Sequence, residues 1–144
     1  MIKFMNIISG VKIKKIKPVK EKDKRGPTYE WCRGLPGRQV SVYIRKKGSR
    51  FGEHYHEGAD PSKDPELLFL AKGRIEFQAV NPQGQEMKRI IKGGQELKIY
   101  PGILHWSRAL TEVVFVEYRS IVYDKKHNDT YPAASYDKYL KHLR

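Results

Sequence analysis

At 144 residues the chain has room for one domain with a substantial core, and 39% apolar residues with 11% aromatics exclude a disordered protein. No apolar run reaches the roughly 18–20 residues that a membrane-spanning helix needs. The net charge of +13, from 29 Lys and Arg against 16 Asp and Glu, raises nucleic acid as a partner. No helix-turn-helix, zinc finger or aromatic RNA-binding motif accompanies it, so nucleic acid is not expected.

The first residues, MIKFMNIISG, are too short and too soon followed by lysines to read as a signal peptide. The single cysteine, Cys32, has no internal disulfide partner. Both fit a cytoplasmic setting, and Cys32 beside Trp31 reads as a small buried hydrophobe. Residues 1–20 read as one or two strands, in which the lysines of VKIKKIKPVK interleave with Val11, Ile13, Ile16 and Val19 to leave one wet, charged face. This basic surface suits attraction of a phosphorylated or nucleotide-linked small molecule, or equally the lysine-rich exterior of a heat-adapted protein.

EKDKRGP is a turn, TYEWCRG a short strand and LPG another turn. RQVSVYIRK alternates, with Val40, Val42 and Ile44 expected inward. Gly48 to Gly52 turns into a strand carrying HYH, and EGADPSKDP is a loop on composition. Strands follow at ELLFLAKG, RIEFQAV, EMKRIIK, ELKIY and HWSRAL, separated by Gly, Pro and Asn turns, and an apolar β-run extends from Glu112 to Tyr123. DKKHNDTYP is loop-like. AASYDKYLKHLR then places Tyr136, Tyr139, Leu140 and Leu143 at helical spacing. Short, evenly spaced strands with almost no helix define an all-β sandwich or barrel.

The densest chemistry lies between Gly48 and Gly73. His54 and His56 stand at i and i+2, on one face of a strand. Glu66 sits on a neighbouring strand-forming run, and His105 can complete the set. Imidazoles and a carboxylate converging from rigid strands suit a divalent transition metal. Glu53 and Glu57 compete with Glu66 for the carboxylate role.

These residues resemble the cupin superfamily. Its first motif runs glycine, five residues, His-x-His, a gap, glutamate, six residues, glycine; Gly48, His54, His56, Glu66 and Gly73 follow it, with a longer gap after His56. Its second motif is matched in order by Gly94, Gly102 and His105. Tyr100 stands where a proline is usual, Pro101 adjoins Gly102, and Ala109 replaces an asparagine. The resemblance covers about residues 40–120. It implies a jelly-roll β-barrel (a double-stranded β-helix) with a short C-terminal helix, and His54, His56, Glu66 and His105 as metal ligands. Residues 1–144 then form one domain: N-terminal strands over 1–35, a core over about 36–123, and a C-terminal loop and helix over 124–144. The long loop after His56 is expected to fold over the barrel mouth, with Asp60, Lys63 and Asp64 toward substrate or solvent.

A narrower likeness is to the cupin domains of nucleotide-sugar epimerases and isomerases, including that of the bifunctional capsule-sugar epimerase/reductase. There an Asp-x-Arg-Gly turn, here Asp23, Arg25 and Gly26, precedes a strand like that of Val40, Ser41 and Val42. The likeness implies a metal-dependent isomerase or epimerase of a keto-sugar or nucleotide-sugar, with zinc foremost and iron, manganese or nickel as alternatives. The same ligand set serves metal-dependent dioxygenases and non-catalytic sugar-binding cupins, and those readings stay open. Tyr43 and Tyr100 are candidate acid–base groups, and Arg45, Arg50 and Arg74 candidate phosphate ligands. Tyr55 is expected to point away from the histidines. A homodimer is expected, with the lysine-striped N-terminal strand able to cross to a second copy.

Overall fold

The computed structural model describes residues 3–19, 24–32 and 34–144. Asp23, of the Asp-x-Arg-Gly turn, lies outside them. The strands are β1 (Val11–Lys15), β2 (Gln39–Arg45), β3 (Arg50–Tyr55), β4 (Glu66–Lys72), β5 (Arg74–Val80), β6 (Glu86–Lys92), β7 (Gln95–Ile99), β8 (Leu104–Ala109), β9 (Val113–Arg119) and β10 (Tyr131–Pro132), followed by helix α1 (Tyr136–His142). They form two antiparallel five-stranded sheets, ordered β1-β7-β4-β9-β2 and β10-β3-β8-β5-β6. This is the expected all-β jelly roll with one short C-terminal helix.

The inner rows of the sheets change character along their length. On β9 the row runs Val113, Phe115, Glu117, Arg119, all buried. Beside it on β4 the row runs in the opposite direction, Leu70, Leu68, Glu66. Leu70, Ile75, Ile91 and Val113 close the apolar end, and the core continues through Phe77, Leu97, Phe115 and Ile99, the last directly opposite Glu66. At the other end the same strands present charge. Gly73 holds the β4–β5 turn at φ +93°, and a Cβ there would lie 2.3 Å from the Glu112 carbonyl oxygen, so only glycine fits.

Several expectations need correction. Val40, Val42 and Ile44 point outward, at 64, 60 and 63% exposure, while Gln39, Ser41, Tyr43 and Arg45 face the interior. β2 is an edge strand beside a cavity, so its polar row is the inner one. Of TYEWCRG, Thr28 to Cys32 are irregular rather than a strand, and Arg33 lies outside the described residues. Tyr29 and Trp31 instead pack on Phe69, with ring centroids 5.3 and 5.6 Å away. The N-terminal strand ends at Lys15 and pairs with β7 of its own chain. The run from Glu112 to Tyr123 is strand only to Arg119. α1 docks through Tyr136 and Tyr139 on Tyr55, at 5.1 and 5.0 Å. Tyr55 thus faces away from the histidines, as its place in HYH predicts. Among the described residues no helix is long and apolar enough to cross a membrane.

Candidate metal centre and cavity

At the charged end the sheets enclose a cavity of about 410 Å³, within the range of small-molecule sites. One ligand atom each from His54, His56, Glu66 and His105 lies within 4.8 Å of all the others. Strand geometry accounts for this. His54 on β3 is directly opposite His105 on β8. A bulge between Phe51 and His54 shifts the register, and Gly52 supplies it at φ +74°, a conformation side-chain-bearing residues avoid. Glu66 opens β4, and its Oε2 is 3.1 Å from His56 Nε2 and 3.5 Å from His105 Nε2.

Outer hydrogen bonds fix two of the rings. His56 Nδ1 donates to the Asp129 carbonyl oxygen at 2.7 Å, and His105 Nδ1 to that of Ile103 at 2.9 Å. Carbonyls only accept, so the Nδ1 atoms donate there and each Nε2 is turned toward Glu66. Burial, reinforced by His105, pushes His54 down to about 3, keeping it neutral. Burial alone would raise the Glu66 carboxyl, but the Lys63 charge and the His105 and His56 contacts hold it well below the usual range. Glu53 and Glu57 are exposed.

The loop after His56 is pinned, and its Asp60 and Lys63 line the cavity. Asp129 accepts backbone N–H groups from Glu57, Gly58 and Asp60, and the Ser62 hydroxyl meets Ser120 and the Ile121 amide. Lys63 is buried instead of solvent-facing. Its Nζ donates to Glu66 Oε1 at 2.7 Å and Glu117 Oε2 at 2.9 Å. Asp60 pairs with buried Arg119, and only Asp64 of the three is exposed.

The other candidates divide. Tyr43 and Arg45 line the cavity, with Arg45 over the Tyr43 and Phe51 rings. Tyr100 does not line it; Lys12 lies over its ring at 5.5 Å, because the inward position on β7 belongs to Ile99. Arg50 pairs with Glu53 on the surface, and Arg74 is exposed at the start of β5. Glu117 and Arg119 were not anticipated as cavity residues, although charges inside the apolar run EVVFVEYRS were a visible signal. Cys32 is half-buried, and burial followed by the charge of Glu96 pushes its thiol up to about 11.

No protein-family model and no curated protein matches the chain. Solved structures do. A sugar 3,4-ketoisomerase from Thermoanaerobacterium thermosaccharolyticum, in complex with TDP, superposes with a TM-score of 0.71 at 18% identity, over 95% of this chain and 98% of that one. The dTDP-4-dehydrorhamnose 3,5-epimerase from Sulfolobus tokodaii gives 0.62 at 24% identity, over 87% and 78%. The capsular polysaccharide assembling protein CapF from Staphylococcus aureus gives 0.56 at 24%, over 67% of this chain but 27% of that one. At such identities the likeness is one of fold, and the fold is the cupin jelly roll.

Proposed function

We propose that the protein is an isomerase or epimerase of a nucleotide-linked keto-sugar, with a divalent metal held by His54, His56, Glu66 and His105. The observation that carries this reading is the convergence of those donors on a ligand-sized cavity. Two imidazole Nε2 atoms and an ionised carboxylate oxygen converge there, and a cation among them would be held by all three. Three nitrogens and one oxygen suit zinc, with iron, manganese and nickel as alternatives. The bound ion would supply a Lewis acid toward a sugar carbonyl.

The surrounding residues have separate tasks. Burial, then the charge of Glu117, raises the Tyr43 phenol above its ordinary value, so its Oη holds a proton to donate at the carbon beside the carbonyl. Arg119 Nε is a buried donor without a partner in the cavity wall, and a ligand oxygen would satisfy it. Arg45, in the same wall, is placed for a phosphate. The neighbouring ketoisomerase fold has been solved with TDP-4-keto-6-deoxyglucose, which makes that compound the first substrate to try. We also propose a homodimer contact through the outward apolar row of β2, Val40, Val42 and Ile44, each more than half exposed.

The test is to incubate the zinc-loaded protein with TDP-4-keto-6-deoxyglucose in D2O and follow the sugar protons by NMR. Deuterium should enter at a carbon next to the carbonyl. Tyr43→Phe should slow its entry by about 100-fold or more while TDP affinity holds. TDP binding without exchange would instead make the protein a binding module, and neither binding nor exchange would overturn the reading.

A further inference from the structure

Lys63 stands where a lysine is seldom found. It is 8% exposed, and a buried ammonium needs compensating charge. Two carboxylates share it, and each faces a second partner. Glu66 turns its other oxygen to His56 and His105; Glu117 turns its other oxygen to Arg119, 3.5 Å away. Arg119 in turn pairs with Asp60. Charge therefore alternates through Asp60, Arg119, Glu117, Lys63 and Glu66 up to the cluster of histidines. Nor is Lys63 a swinging side chain: its loop is tied just ahead of it, from Glu57 to Ser62, and both carboxylates hold its ammonium.

Two physical consequences follow for an ion among the four donors. Lys63 occupies Oε1 of Glu66, so only Oε2 is left to ligate. The ammonium also repels a dication bound to the carboxylate it touches, in surroundings with little water to screen the repulsion. We propose that Lys63 is a resident counter-ion: it compensates Glu66 and Glu117 when no metal is bound, keeps the metal-free fold intact, and weakens the hold on the ion so that binding is reversible. This rests on the metal-site reading above. The extended loop is then the device that delivers the counter-charge.

The experiment compares zinc affinity, by competition with a chelator, and melting temperature with and without zinc, in the unaltered protein, Lys63→Gln and Lys63→Arg. Lys63→Gln keeps hydrogen-bond donors but removes the charge. It should bind zinc at least about tenfold more tightly, on the scale of outer-shell substitutions, and melt lower without zinc and gain more from its addition. Lys63→Arg should stay within about threefold of the unaltered affinity, since the charge it keeps is the term that matters. If Lys63→Gln folds only in the presence of zinc, the ion has replaced the lysine and the proposal stands. It is overturned if Lys63→Gln binds zinc no more tightly than the unaltered protein, or folds neither with zinc nor without it. Zinc uptake by none of the three would instead fail the metal-site reading itself.

Discussion

Asp60 shows how single residues hold the site in place. Burial alone would raise its carboxyl, but the Ser62 amide and the Arg119 guanidinium outweigh burial and lower it. A carboxylate whose pKa is lower in the fold than in the unfolded chain contributes stability above about pH 3.9, its unfolded value. That contribution is lost as pH falls through the folded value. Asp60→Asn should therefore cost about 1–3 kcal/mol near pH 7, the scale of a lost charge-assisted hydrogen bond. The gap to the unaltered protein should narrow as pH drops from 5 toward 3. Urea unfolding along that series measures it, and a gap independent of pH would show that the Asp60 charge is not what counts.

Among the elements, β4 to β8 were legible in the sequence because glycine, proline and asparagine punctuate them and their alternation is regular. His54 and His56 were legible for the same reason: a two-residue spacing is itself a geometric statement. β2 was not. Its rows, Val40, Val42, Ile44 and Gln39, Ser41, Tyr43, Arg45, both suit a strand, and the rule that apolar rows face inward assumes the interior is a packed core. Here it is a cavity. Glu117, Arg119 and the burial of Lys63 escaped notice because the partnerships span 54 and 59 residues, beyond any local pattern. The outward row of β2 leads to a prediction about assembly. If the protein pairs through it, Val42→Lys should shift the species seen by sedimentation from dimer to monomer and leave the circular dichroism unchanged. An unaltered sedimentation profile would place the contact elsewhere.

Across the whole molecule, the four donors stand outside the apolar core cluster, although they share its strands. His54→Ala and His105→Ala should each abolish zinc uptake, measured by elemental analysis, with the cooperative thermal transition retained; full occupancy in either would remove that residue from the ligand set. The surplus of 13 positive charges should make binding of anionic TDP weaken severalfold between about 0.05 and 0.5 M KCl, since the Debye length shrinks from about 14 to 4 Å over that range. Calorimetry at the two salt concentrations reads this directly. The order in which the chain supplies its parts also matters. The four donors are complete at residue 105, but Glu117, Arg119 and the Asp129 carboxylate that ties down the loop come later. During synthesis on a ribosome, a nascent chain carries all four donors well before it can close the pocket around them. The final quarter of the protein thus sets when the site first exists.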